Sequence, residues 1–292
     1  MKTTRSTTNV DSEDISQNDE VSPSTHSGPS RCYARSLGGC GTRISKEHYT
    51  SLSVLSQMDE LLVSGAPWHN SNEPRAYSPS SLVSKILCRE HNSALSALDT
   101  VGGEFYRLAS NGLDPRTPSS VVHGRLDGHA LERWLLKCLC GLLASNAVGT
   151  CRRDRWEPPQ RWLGVLFHAE PLPTSWGLYF LIGATHPVTT TGRSIQLAPV
   201  FADEQLSHLI GMDGQLAGIP FRLVLDDITL WEPPPDGTEL GLRPAGLRVE
   251  SSRGQASIQL DWERPYSPAI SIHADDTPHT TTIPNVKRKG PA

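Results

Sequence analysis

Apolar residues recur with a clear helical period in one long stretch, HALERWLLKCLCGLLASN (129–146). Leu131, Trp134, Leu135, Leu139, Leu142 and Leu143 fall on positions three and four apart, which predicts an amphipathic helix. TSLSVLSQMDELL (50–62) predicts a shorter helix. Residues 78–110, SPSSLVSKILCREHNSALSALDTVGGEFYRLAS, read as helical around their middle and end. Ser80 or Ser81 could cap one piece there, and Asn92 or Ser93 could open another. Residues 31–48 carry the glycine-rich turn GGCGTR, at which two short strands are expected to meet. Residues 63–79, with Pro, Asn, Gly and Ser, read as a loop.

The texture changes after Arg161. WLGVLF (162–167), WGLYFLIG (176–183), SIQLAPVF (194–201), PFRLVLDD (220–227), GLRVESS (246–252) and ASIQLDW (256–262) are short apolar or alternating runs. Gly, Pro, Asp and Ser separate them, which predicts an antiparallel sheet or small sandwich. WEPPQRW and WEPPPDG punctuate as loops. No internal repeat is visible. Helices first and strands later give the α+β class.

Composition modifies this picture at the ends. Over 292 residues, hydrophobic types make up 37% and charged types 20%, both low enough to imply that part of the chain is unpacked. Residues 1–30 are rich in Ser, Thr, Asp and Asn and cannot bury enough apolar surface to offset ordering, so a disordered tail is expected. HADDTPHTTTIPNVKRKGPA at the far end reads the same way, its VKRKG being a solubilising basic patch. The expected organisation is a tail (1–30), a first module (31–110), a helical connector (111–160), a β-rich domain (161–265) and a second tail (266–292). No apolar run is long enough for a membrane helix. MKTTRSTTNVDSEDISQ lacks the apolar stretch of a secretory signal. A cytoplasmic location is therefore expected, where six cysteines are free thiols or metal ligands more often than disulfides.

The net charge of −4 is unevenly placed. Residues 1–30 hold two bases and five acids, residues 31–160 fifteen and twelve, and residues 161–292 ten and fourteen. The basic segment is thus the one that holds all six cysteines. Arg31, Arg35, Arg43 and Lys46 precede His48 with Glu47 as the one acid among them, a pattern that suits phosphate contacts or a solvated surface.

Four residues carry the chemistry of a structural zinc site: Cys32, Cys40, Cys88 and His91. Zinc takes four sulfur or nitrogen donors in a tetrahedron, commonly as two pairs from two chain segments. Cys88-x-x-His91 has the spacing for one turn to wrap an ion. Cys32-x7-Cys40 is looser and needs an irregular loop between its members. The competing reading is of ordinary thiols and a surface histidine. Cys138, Cys140 and Cys151 form a second thiol group, but C-x-C within a helix points its sulfurs to different faces, and buried small hydrophobes are the better reading.

Beside the four ligands lie Glu47, His48 and Asn92. A neutral imidazole can take a proton from water near pH 7. Glu47 and Asn92 offer oxygens to a divalent ion able to stabilise charge on a phosphate.

The order C…C…(D/E)H…C-x-x-(C/H)-N, carried by RCYARSLGGCGTRISKEHYTSLSVL and ILCREHNSALSALD, resembles the HNH endonucleases, the zinc-bearing branch of the His-Me finger superfamily. The resemblance covers residues 31–95. It implies a ββα-metal core in the first module, with His48 as general base and with Glu47 and Asn92 on a catalytic Mg²⁺ or Mn²⁺. It also implies Cys32, Cys40, Cys88 and His91 on a structural Zn²⁺, with DNA as substrate and RNA as the alternative. The sequence departs from the family pattern in its C-x7-C knuckle, in a long gap between His48 and Cys88, and in the missing lysine after the last Asn. The middle N/H position has His69, Asn70 and Asn72 as candidates. Two non-nuclease readings stand beside this one: a non-catalytic zinc module that binds nucleic acid, and an interaction protein whose β-rich half does the work.

Overall fold

The structure is a computed structural model that describes residues 29–58, 61–63, 75–113, 121–147, 156–183, 194–234, 237–251 and 254–273. His69, Asn70, Asn72, Cys151, residues 1–28 of the first expected tail and residues 274–292 of the second lie outside the described residues.

The protein is α+β. Strand β1 (Ile44–His48) is followed by a four-residue helix α1 (Leu52–Leu55), by β2 (Leu61–Val63) and β3 (Arg75–Tyr77), and then by β4 (Val83–Cys88). Helix α2 (Arg89–Ala94) leads into α3 (Ser96–Leu113). The next elements are β5 (Val121–Asp127), α4 (Gly128–Ala144) and α5 (Gln160–His168). The remainder is strand: β6 (Gly177–Gly183), β7 (Ile195–Phe201), β8 (Leu209–Leu216), β9 (Ile219–Val224), β10 (Thr238–Leu242), β11 (Gly246–Ser251), β12 (Gly254–Asp261) and β13 (Ile270–His273).

Several expectations are corrected. Residues 31–48 do not form a hairpin. Their first part is a turn with a 3-10 segment at Arg35–Leu37, and β1 pairs instead with the distant β4, antiparallel, His48 lying opposite Val83. The reason is local. Gly38 and Gly39 both take positive φ (74° and 64°), and the loop closes on Ile86 through a Tyr33 N–H bond of 2.9 Å. The helix expected over 50–62 is confined to α1, and β2 begins at Leu61. Arg75–Tyr77, expected as loop, pairs with β2. The segment 78–110 is helical at its middle and end, as expected, but the piece after Ser80 and Ser81 is strand β4, preceded by a 3-10 turn at Pro79–Ser81. The cap of α2 is the Cys88 thiol rather than a serine, and α3 starts at Ser96.

WLGVLF is helical, not a strand. Pro159 precedes its first turn, and Trp162, Leu163, Val165 and Leu166 are buried together. An apolar run this short carries no decisive period, and its packing against α4 selects the helix. The expected helical connector (111–160) contributes strand β5, which pairs in parallel with β12, and the expected tail contributes β13, which pairs in parallel with β11. The four-stranded sheet β13-β11-β12-β5 is therefore mixed, whereas the five-stranded sheet β10-β6-β9-β8-β7 is antiparallel throughout.

Helix α4 organises the interior. Asp127 caps it by accepting from Ala130 N at 3.0 Å. Leu131, Trp134, Leu135, Leu136, Leu139 and both Cys138 and Cys140 are buried, so the helix is enclosed nearly all round. Its buried charges are paired. Glu132 takes Arg243 Nε at 2.9 Å and Leu178 N at 2.7 Å, tying α4 to β6. Lys137 points the other way, toward β1 and α3. Helix α3 crosses α4 at Gly102, where an added Cβ would stand 2.1 Å from Trp134 Cε2. One apolar core runs continuously from Cys32 and Leu87 through α3 and α4 to Ile258 and Ile272. Among the described residues, no helix is long and apolar enough to cross a membrane.

Candidate metal centre and adjoining cleft

The β1–β4 ladder fixes two cysteine-bearing segments side by side. Cys88 ends β4 and caps α2, its sulfur accepting from His91 N at 3.5 Å, so the first turn of α2 swings His91 back over the thiol. The glycine turn after Arg35–Leu37 returns Cys40 toward Cys32. The ligand atoms of Cys32, Cys40, Cys88 and His91 all lie within 4.8 Å of one another. His91 Nδ1 stands 3.3 Å from Cys32 Sγ, 3.5 Å from Cys40 Sγ and 3.3 Å from Cys88 Sγ. A tetrahedral zinc with bonds of about 2.3 Å to sulfur and about 2.0 Å to nitrogen would separate these donors by roughly 3.6 Å. The cluster could therefore hold a structural metal such as zinc, with the ligands expected from sequence.

The surroundings suit a cation. Cys32 and Cys88 are fully buried. Burial, aided by the neighbouring thiols, pushes the Cys40 thiol up to about 12, and burial raises Cys32 as well. Three sulfurs this close repel as thiolates unless a cation sits among them. Burial lowers the His91 pKa and so favours the neutral imidazole that binds metals. The Gly38 carbonyl accepts the other ring N–H, which leaves Nδ1 facing the sulfurs. Phe167 of α5 packs edge-on against the ring, centroids 5.1 Å apart, and Arg35 pairs with Glu157 at 2.8 Å. The cluster is thus seated on the α5 side of the molecule.

Farther along β1, toward His48, a cleft of about 290 Å³ opens, lined by Lys46, Glu47, His48, Asn92, Ser93 and Asp99 among others. The expected trio of Glu47, His48 and Asn92 is brought together here, and Asn92 hydrogen-bonds Glu47. His48, last in β1, is half-buried. Its Nε2 is enclosed without a partner among the described residues, while the Pro79 carbonyl accepts from the ring. Burial holds its pKa below the ordinary 6.5.

Glu47 differs from expectation in one respect. Its side chain is nearly buried, and Oε1 lies 2.6 Å from Lys137 Nζ, which also stands 2.6 Å from Asp99 Oδ1. Burial pushes the Glu47 carboxyl up, and Lys137 and Asn92 pull against it. Burial alone would lower Lys137, but the two carboxylates outweigh it, and the lysine stays charged. Ser51 links the network to the core by donating to Asp99 and accepting from Trp134 Nε1 at 2.7 Å. Sequence reasoning missed Lys137 and Asp99. A lone lysine inside WLLKCLCGLL was the available signal, because a charge in an apolar run is buried only with a partner.

Of the four expected phosphate contacts, Arg31, Arg43 and Lys46 are exposed, whereas Arg35 is half-buried and engaged by Glu157. Cys138 and Cys140 are buried singly in the core, with thiols raised by burial, as small hydrophobes would be.

Compared with protein-family models, with curated proteins and with solved structures, the chain matches none.

Proposed function

We propose that the protein is a metal-dependent nuclease of the HNH type that hydrolyses phosphodiester bonds of DNA or RNA. The observation that carries this reading is the shared cleft. His48, Glu47 and Asn92 line one opening on a strand–strand–helix unit that carries the Cys/His cluster at its Ile44–Cys88 end. In this reading the neutral His48 imidazole takes a proton from water as that water attacks phosphorus in line. A depressed histidine pKa suits a base that must be unprotonated at neutral pH. Asn92 and the Glu47 oxygen not held by Lys137 are the groups to hold a divalent ion. Such an ion supplies charge stabilisation for the phosphate and its leaving oxygen. Lys46 at the lip offers a phosphate contact.

The test is cleavage of plasmid DNA and of single-stranded RNA by zinc-loaded protein with added Mg²⁺ or Mn²⁺. Wild type is expected to cut, and His48→Ala to lose cutting while retaining zinc and fold. Equal rates for the two proteins would overturn the role of His48.

One observation favours a second reading. Glu47 and Asp99 both already hold Lys137, as the carboxylates of a purely structural network would. The module would then be a zinc-clamped binding unit without catalysis. Salt-sensitive nucleic-acid binding with no cleavage under any divalent ion would select it.

A further inference from the structure

We propose that the β1–β4 ribbon is a track for a nucleic-acid backbone, formed by Arg43, Lys46, Lys85 and Arg89 and leading phosphates to the cleft. The choice of partner rests on the reading above; the track itself rests on the placement of four cations.

Lys85 and Arg89 stand out in the fold rather than in the chain, because β4 lies far in sequence from β1. The register brings Ile44 opposite Cys88, and Arg89 N bonds Arg43 O at 2.9 Å, so the two arginines sit side by side at one end of the ladder. At the irregularity between Ser45 and Glu47, Lys46 faces the β4 segment that holds Lys85. All four side chains are exposed. None forms an ion pair among the described residues, in contrast to Arg35, Arg107, Arg125, Arg222 and Arg243, each of which has a carboxylate. Glu90 is the acid beside Arg89, and its carboxylate is turned toward Gly41.

The dimensions suit a polyanion of regular spacing. Arg43 and Lys46 are three residue steps apart, about 10 Å in extended chain, and paired strands lie about 5 Å apart. Each strand of a duplex offers a phosphate about every 3.4 Å along its axis, so a stretch of about 10 Å carries about four phosphates counted end to end. Lys46 belongs to both ribbon and cleft, which makes the two surfaces continuous. Backbone phosphate is the chemistry that suits four exposed cations without carboxylate partners, because it engages them irrespective of base sequence.

The experiment measures binding of a fluorescein-labelled duplex DNA of arbitrary sequence by anisotropy between 50 and 200 mM salt. His48→Ala protein is used so that cleavage does not interfere, and zinc content is checked for every variant. Four phosphate contacts predict a weakening of about 150-fold over that range, and two contacts about 12-fold. The expected result is the larger factor for the parent and the smaller for Lys85→Ala/Arg89→Ala. Lys85→Ala alone, whose exposed side chain lies three residues before Cys88, should fall between them, and Arg107→Ala should match the parent. An unchanged salt response in the double variant with zinc retained overturns the track. So does polyglutamate competing as well as DNA, which would point to an acidic protein partner. Cleavage is scored separately in the wild-type background. If the wild type cuts but the ribbon variants bind normally, the track fails and the nuclease reading stands. If the ribbon variants lose binding and nothing ever cuts, the track stands and the nuclease reading fails.

Discussion

Lys137 Nζ lies 2.6 Å from Glu47 Oε1, an ion pair in which both side chains are under a tenth exposed. It joins the central helix to β1 at the base of the cleft, and Asp99 adds α3 to the same ammonium. The residue before the candidate base is thereby held by the core of the molecule, not by the surface strand alone.

Removing that ammonium should be costly. Lys137→Ala leaves the Glu47 carboxylate buried without its partner, and breaking such a pair typically destabilises by about 3–5 kcal/mol. Urea unfolding of the zinc-loaded protein measures this. A loss below about 1 kcal/mol would mean that the network is reached by water rather than sealed by α4.

The metal centre predicts one zinc per chain by elemental analysis. Cys88→Ala should abolish it, removing a ligand and the cap of α2 together. Chelation should lower thermal stability, because metal-binding free energy is folding free energy at such sites. Protons compete for the same sulfurs, whose pKa values burial has raised, so the metal should be released as pH falls. Full stability in chelator would show that the cluster folds as four ordinary side chains.

Histidine 48 gives a pH signature with a definite sign. Its folded pKa lies below the unfolded 6.5, so the folded state prefers the neutral ring. Stability from this group is complete above 6.5 and is lost as pH falls from there through the folded value. Cleavage should rise over the same window, its acidic limb lying below 6.5 and vanishing in His48→Ala. A limb above 6.5 would assign the base to another group.

Gly102→Ala tests the crossing of α3 and α4. Alanine favours a helix over glycine by about 1 kcal/mol. Here its methyl meets the Trp134 ring, and overpacking of this kind costs about 1–3 kcal/mol. Net destabilisation is expected in thermal melts, and a gain would show that Trp134 can move aside.

What the sequence determined by itself was whatever depends on near neighbours. Helix α4 was legible because one turn repeats every few residues, and most later strands because their runs are short and punctuated. The pair Cys88-x-x-His91 was legible because one turn of α2 suffices to converge both ligands. WLGVLF was not legible, since six apolar residues satisfy helix and strand alike until α4 packs against them. The β1–β4 pairing was also hidden, for the glycine turn suggested a local hairpin and only the fold supplied the distant strand. Lys137 with Glu47 and Asp99, and Lys85 with Lys46, were decided by tertiary structure alone. A buried charge must find its counter-ion somewhere, but the desolvation that requires a partner says nothing of where along the chain that partner lies.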